Sequence, residues 1–168
     1  MKIMKTLYLV RHAKSSWGYP ELEDFERPLT KRGRESALLM GAILKKLKAA
    51  PDLMLSSPAN RAAMTARMIA DAVHYPLDKI QYIETIYLAD ESVLIQVIKN
   101  LSNSVNQAMF IGHNPGLTGL ANTISDQPIN SIPTGGVCCM DLKIASWKGI
   151  QEHGGKLRFF EFPKKHAS

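Results

Sequence analysis

Three segments of the chain repeat one design: an apolar run stops, polar residues follow at once, and a helical stretch usually begins. They are YLVRHAKS, LMLSSPANR and MFIGHNPG, spread along 168 residues. Short β-rich runs that alternate with helical stretches describe an α/β domain. In open sheets of that kind, ligands bind in the crevice beyond the carboxyl ends of the strands. The expected fold is therefore a single α/β domain over residues 1–168, with a mostly parallel central sheet and helices on both faces.

The remaining elements follow from periodicity and punctuation. Residues 6–10, 53–56, 80–84 and 108–112 read as strands. Residues 137–144 and 157–162 read as a closing pair, turned by Gly149, Gly154 and Gly155. Thr30 is placed to cap a helix over 33–49, with Met40, Ile43, Leu44 and Leu47 at helical spacing and Pro51 as its stop. Ser57 and Pro58 suit an N-cap and first turn for a helix to about residue 73, with Ala59, Ala62, Ala66, Ile69 and Val73 as its inner stripe. A further helix is expected over 92–101. Asn114 is positioned as a cap, with Pro115 in the first turn after it.

Composition removes several function classes. No apolar stretch approaches the roughly 20 residues that span a bilayer, and the start MKIMKTLYLV leads into charge without a small-residue cleavage site. The expectation is a cytoplasmic protein with no membrane partner. The net charge of +6 and pI near 9.4 are compatible with an anionic ligand, but no interleaving of basic and aromatic residues suggests nucleic acid. Cys138 and Cys139 are adjacent, so a strand would send them to opposite faces and a disulfide is not expected. Glu21, Glu23, Asp24 and Glu26 lie in a polar loop without a paired histidine and read as a solvated face rather than a metal site. The Thr134-Gly135-Gly136 stretch reads most economically as a strand-entry turn.

The chemistry-bearing residues gather at the strand ends. Arg11 and His12 follow the first strand, His113 follows the fourth, and Arg61 lies about one turn into the helix after the second. Each alone is ordinary. Together, two arginines and two histidines at one crevice make an anion site, because guanidinium stays charged and grips phosphate oxygens with a bidentate fork. Helix N-termini after Ser57 and Asn114 would add backbone donors.

RHAKSSW resembles the signature of the histidine phosphatase superfamily, with Ala13 where glycine is usual. ERPLTKRG, SSPANRAAMTA and FIGHNPG resemble three further segments of that family, in order and over residues 6–119. Ala13, the Arg27–Leu29 RPL and the HNP at 113–115 are similar to the small SixA-type phosphohistidine phosphatase branch. The resemblance implies a phosphoglycerate mutase-like fold, His12 as the phosphorylated nucleophile, and Arg11, Arg61 and His113 as the phosphate-gripping set. It implies Ser15, Arg27 and Asn114 as auxiliary substrate contacts, and no cofactor or metal. Glu84 reads equally as a general acid and base or as a strand-end carboxylate paired with an arginine. The expected substrate is a phosphohistidine on a protein, since residues 16–28 and 85–112 leave little room for a lid. The alternatives are a small phosphate ester or a phosphate-binding module without turnover. Oligomeric state stays open.

Overall fold

The computed structural model describes residues 3–166. Six strands form one sheet: β1 (Lys5–Arg11), β2 (Leu53–Ser56), β3 (Gln81–Tyr82), β4 (Gln107–Gly112), β5 (Val137–Leu142) and β6 (Gly155–Glu161). Their order across the sheet is β3-β2-β4-β1-β5-β6. The first four run parallel, while β5 and β6 close the far side antiparallel. Helices α1 (Lys31–Lys46), α2 (Asn60–Ala72), α3 (Glu91–Lys99) and α4 (Gly116–Ile124) join them.

Because strand side chains alternate in direction, β1 divides its apolar residues between two cores. Tyr8 and Val10 pack with Met40 and Leu44 of α1 and Ala62, Ala66 and Ile69 of α2. Leu7 and Leu9 pack on the opposite face with Leu94 and Ile98 of α3 and Leu117, Leu120 and Ile124 of α4. A strand covered on both faces has no solvent side to make polar, which is why β1 reads as a continuous apolar run. Burying a side chain such as Leu44 or Leu120 contributes about 1.5–3 kcal/mol. The same alternation sends Cys138 to one core and Cys139 to the other. Burial holds both thiols protonated, pushing each pKa up to about 12.

Two local features set the geometry of the strand ends. Thr30 caps α1, its Oγ1 accepting from Gly33 N at 2.9 Å. A Cβ at Gly33 would lie 2.1 Å from the Lys14 carbonyl, so only glycine lets α1 pack against the loop after His12. Gly135, at φ 75°, is the second. Its amide donates to the carbonyls of Arg11 (3.1 Å) and His12 (3.0 Å), making the strand-entry turn a backbone clamp on the end of β1.

Some boundaries differ from those expected, for physical reasons. The third strand is only Gln81–Tyr82, because as an edge strand it pairs with β2 alone. The chain then turns in a 3-10 element, Glu84–Ile86, that drives Ile86 into the core. The second helix begins at Asn60 rather than after Ser57, because the Ser57 hydroxyl serves Ala59 N and His113 instead of capping.

Candidate active site

The strand register creates the crevice. Arg11 of β1 lies opposite Gly112 of β4, so His12 and His113 each stand one residue past neighbouring strands. The His12 amide donates to the Gly112 carbonyl at 3.1 Å, and the two imidazoles lie 5.1 Å apart, tilted by 54°. Ser57 stands in the same place after β2, its amide bonded to the Ile111 carbonyl at 3.0 Å.

His12 is 8% exposed. Its Nδ1 lies 2.8 Å from the carbonyl of Ala13. A carbonyl only accepts, so Nδ1 carries the proton and the neutral ring leaves Nε2 as a bare lone pair. Burial holds the pKa down to about 4, and the cations of Arg61, Arg11 and Arg27 add to the effect against the opposing Ala13 hydrogen bond. His113 is held down to about 3, first by burial and then by His12 and Arg61. Its Nε2 lies 2.8 Å from Ser57 Oγ. When the serine hydroxyl donates there, the proton of His113 sits on Nδ1.

Among the described residues, two buried side-chain nitrogens have no partner in the protein: His113 Nδ1 and Arg11 Nε. Both belong to this crevice, and burying an N–H without an acceptor costs about 1–3 kcal/mol. Arg11 Nη1 donates to the Ile132 carbonyl at 3.0 Å, which aims the guanidinium.

Arg61, 4% exposed, is held by the loop between β1 and α1. Its Nη1 donates to the Asp24 carbonyl (2.7 Å) and its Nη2 to Asp24 Oδ2 (3.0 Å). Arg27 Nη1 donates to Asp24 Oδ1 at 2.9 Å, its Nη2 to Ser15 Oγ at 2.6 Å, and its Nε to the Ser16 carbonyl at 2.9 Å. Trp17 lies over the Arg27 guanidinium, 3.2 Å from ring centroid to Cζ. Tyr87 donates its hydroxyl to Asp24 Oδ2 at 2.6 Å and sets its ring edge-on to His113. That bond, followed by the two arginines, lowers the Asp24 pKa to about 2. With both histidines neutral, the three guanidinium groups and the Asp24 carboxylate leave the crevice at +2.

The structure thus brings together Arg11, His12, Ser15, Arg27, Arg61 and His113. It does not bring in Glu84, which is exposed and takes no part in the hydrogen bonds of the site. Asn114 borders the crevice, but both ends of its amide serve the fold: Nδ2 donates to the Ile132 carbonyl, and Oδ1 accepts from Thr118 N and Oγ1. Asp24, Tyr87 and Ser57 are additions. Asp24 departs from the solvated face expected for its loop, and its spacing of three from Arg27 is the only local signal of a partner. Among the described residues no cluster of three or more metal-ligating side chains occurs, and no helix is long and apolar enough to cross a membrane.

Comparison with known proteins agrees with this architecture. The model of the histidine phosphatase superfamily (branch 1) matches residues 7–86, the stretch carrying Arg11, His12, Arg27 and Arg61. An uncharacterised protein of Mycobacterium leprae is 28% identical over 167 residues, covering 92% of this chain and all of that one. The solved structure of a protein assigned as phosphohistidine phosphatase SixA, from Agrobacterium tumefaciens, superposes with a TM-score of 0.81 at 26% identity, over 95% of this chain and 98% of that one. A SixA protein histidine phosphatase complexed with tungstate gives the same TM-score of 0.81 at 21% identity, over 96% and 99% of the two chains. The chain is similar to the histidine phosphatase superfamily over residues 7–86 and has the architecture of its small SixA-type members.

Proposed function

We propose that the chain is a metal-independent phosphatase that passes a phosphoryl group through His12, and that its substrate is phosphohistidine on proteins. The observation that carries the reading is the Nδ1 bond of His12 to the Ala13 carbonyl. It presents a bare Nε2 inside a crevice whose +2 charge matches a phosphoryl dianion. The Nε2 lone pair attacks phosphorus, the bond to the leaving group breaks with its electron pair, and His12 becomes a phosphoramidate. Water then attacks the same phosphorus, releasing inorganic phosphate and restoring Nε2.

Arg11, Arg61 and His113 Nδ1 would hold the equatorial oxygens, with Arg27 and Ser15 behind them. Such preorganised donors provide most of the help in phosphoryl transfer. Tungstate, the tetrahedral oxyanion bound by one structural relative, is a suitable mimic for testing them.

The substrate class follows from the leaving group. Among the described residues, Asp24 is the only carboxylate hydrogen-bonded into the site, and near pH 7 it carries no proton to give. An alkyl alkoxide needs one. A phosphohistidine protonated on its second ring nitrogen leaves as neutral imidazole without an acid from the enzyme. The short loop and single helix flanking the crevice also leave it open to a side chain on another protein.

The test is a phosphoenzyme assay joined to a substrate panel, with EDTA present throughout. An acid-labile phosphoryl group on His12, and kcat/KM highest for a phosphohistidine protein, are the expected results. A sugar phosphate preferred by two orders of magnitude would transfer the assignment to small esters. Binding of phosphate without any phosphoenzyme would leave only a binding module.

A further inference from the structure

We infer that a second basic groove, beside the catalytic loop, docks an acidic stretch of polypeptide in the phosphorylated substrate protein. The groove has a volume of about 600 Å³ and is lined by Lys14, Arg32 and Lys164, against the single acid Glu35. None of these three cations is ion-paired among the described residues. They differ from the guanidinium groups of the phosphate crevice, so this positive charge is unused by the chemistry described above.

Its location ties it to catalysis. Lys14 is two residues past His12, which places their Cα atoms within about 7.6 Å. The Lys14 carbonyl accepts from Thr30 N at 2.9 Å, so the groove wall and the start of α1 are one unit. Thr134, also in the lining, precedes Gly135, whose amide holds the carbonyls of Arg11 and His12. A Cβ on Gly135 would lie 3.1 Å from Pro163 Cγ, which brings the C-terminal turn Pro163–His166 onto the same clamp.

The shape and chemistry favour a peptide over a compact anion. The cations come from three separate segments, and apolar surface from Leu39, Pro133 and Pro163 lies with them in the lining. A single phosphate would fill little of that volume. An extended segment with acidic and apolar side chains in alternation meets both kinds of surface. Exposed ion pairs are individually weak and salt-sensitive, so together these are expected to change affinity about tenfold rather than a thousandfold.

This inference rests on the phosphoprotein reading, and the experiment separates the two. Two synthetic peptides carry one phosphohistidine each, flanked by Glu and Leu or by Gln and Leu. Wild-type protein is compared with an Arg32→Glu/Lys164→Glu double variant, using aryl phosphate as the control. Expected is a preference of about tenfold for the acidic peptide, expressed in KM. It disappears in the double variant while aryl phosphate turnover stays unchanged. Equal kcat/KM for the two peptides, a preference that survives charge reversal, or a matching loss on aryl phosphate overturns the groove. If neither phosphopeptide is hydrolysed, the substrate reading fails and binding alone decides. Fluorescence anisotropy with a labelled, unphosphorylated Glu-Leu peptide then shows binding that charge reversal abolishes. Affinity no better than that of the Gln-Leu peptide refutes it.

Discussion

On the floor of the crevice, His12, Ser57 and His113 each stand one residue beyond a strand, and backbone bonds of 3.0–3.1 Å to neighbouring strands hold His12 and Ser57 there. On the wall, Arg27, Arg61, Asp24 and Tyr87 come from three separate segments, joined by side-chain bonds and by Arg61 Nη1 on the Asp24 carbonyl. The floor is buried and its histidines are neutral, whereas the Asp24 side chain at the centre of the wall is 42% exposed. A sheet ladder fixes position whatever the salt or pH. A charge network fixes position only while its charges persist, and exposure weakens each link. The floor should therefore carry the bond-making step, and the wall should tune it.

Removing His12, the proposed nucleophile, is the sharpest break. His12→Ala should lose turnover on the order of 10⁴-fold or more and form no phosphoenzyme, with circular dichroism unchanged. Near-normal turnover would place the nucleophile elsewhere. Arg61→Ala and His113→Ala should each cost about 10²–10³-fold, the usual loss for one preorganised donor. Steady-state kinetics on an aryl phosphate measures both; Arg61 belongs to the wall, but it and His113 are each proposed as a donor to the phosphate, so their losses should be similar.

This division explains what the amino-acid sequence reveals. His12 and His113 were legible because a strand end is marked locally, by an apolar run that stops, and parallel strands align their ends. Arg61 was legible through its place one turn beyond such an end. Asp24 was not, since its partners Arg61 and Tyr87 lie 37 and 63 residues away and an acid in a polar loop resembles solvent-facing surface. Glu84 was misplaced for a related reason. The edge strand stopped two residues early, and the turn that buries Ile86 put Tyr87, rather than a carboxylate, against His113.

Acid should separate floor from wall. Burial holds His12 at about 4 and His113 at about 3, against about 6.5 in the unfolded chain. The unfolded state therefore binds more protons below pH 6.5. Their contribution is complete above that value and is lost as pH falls toward the folded pKa values. Between pH 7 and 5 each costs about 2 kcal/mol of stability. The Asp24 contribution has the opposite origin: its lowered pKa stabilises above about pH 3.8 and is lost only as pH falls through about 2. Urea unfolding at pH 7 and 5 should show the first loss, and a His12→Ala/His113→Ala variant should lack most of it. A pH dependence unchanged in that variant would mean the floor histidines are not held neutral.

Asp24→Asn tests the wall itself. The amide keeps one acceptor but turns a donor toward an arginine or the Tyr87 hydroxyl. Arg61 then loses part of its anchor, and kcat should fall about tenfold. The crevice meanwhile gains one positive charge, so KM for a phosphate dianion should not rise. A higher KM with unchanged kcat would instead make Asp24 a ligand-binding group rather than a positioning one.

The gentlest test is Tyr87→Phe. It deletes the 2.6 Å bond to Asp24 Oδ2 but retains the ring, which sits edge-on to Phe25 with centroids 5.1 Å apart and to His113 at 5.6 Å. A hydrogen bond to a charged group contributes about 1.5–3 kcal/mol when well sheltered. This one lies beside a half-exposed carboxylate that keeps both arginines, so most of that value is lost to water. Turnover should fall only about two- to fivefold. Without the Tyr87 hydrogen bond, which does most to lower its pKa, Asp24 should titrate at a higher pH, which carboxyl NMR can follow directly. Tyr87→Ala should cost more, because it also removes the surface that shelters His113. If Phe and Ala prove equivalent, the hydroxyl is the whole contribution of Tyr87. If Phe is as damaging as Asp24→Asn, the wall depends on this one bond more than on its two arginines.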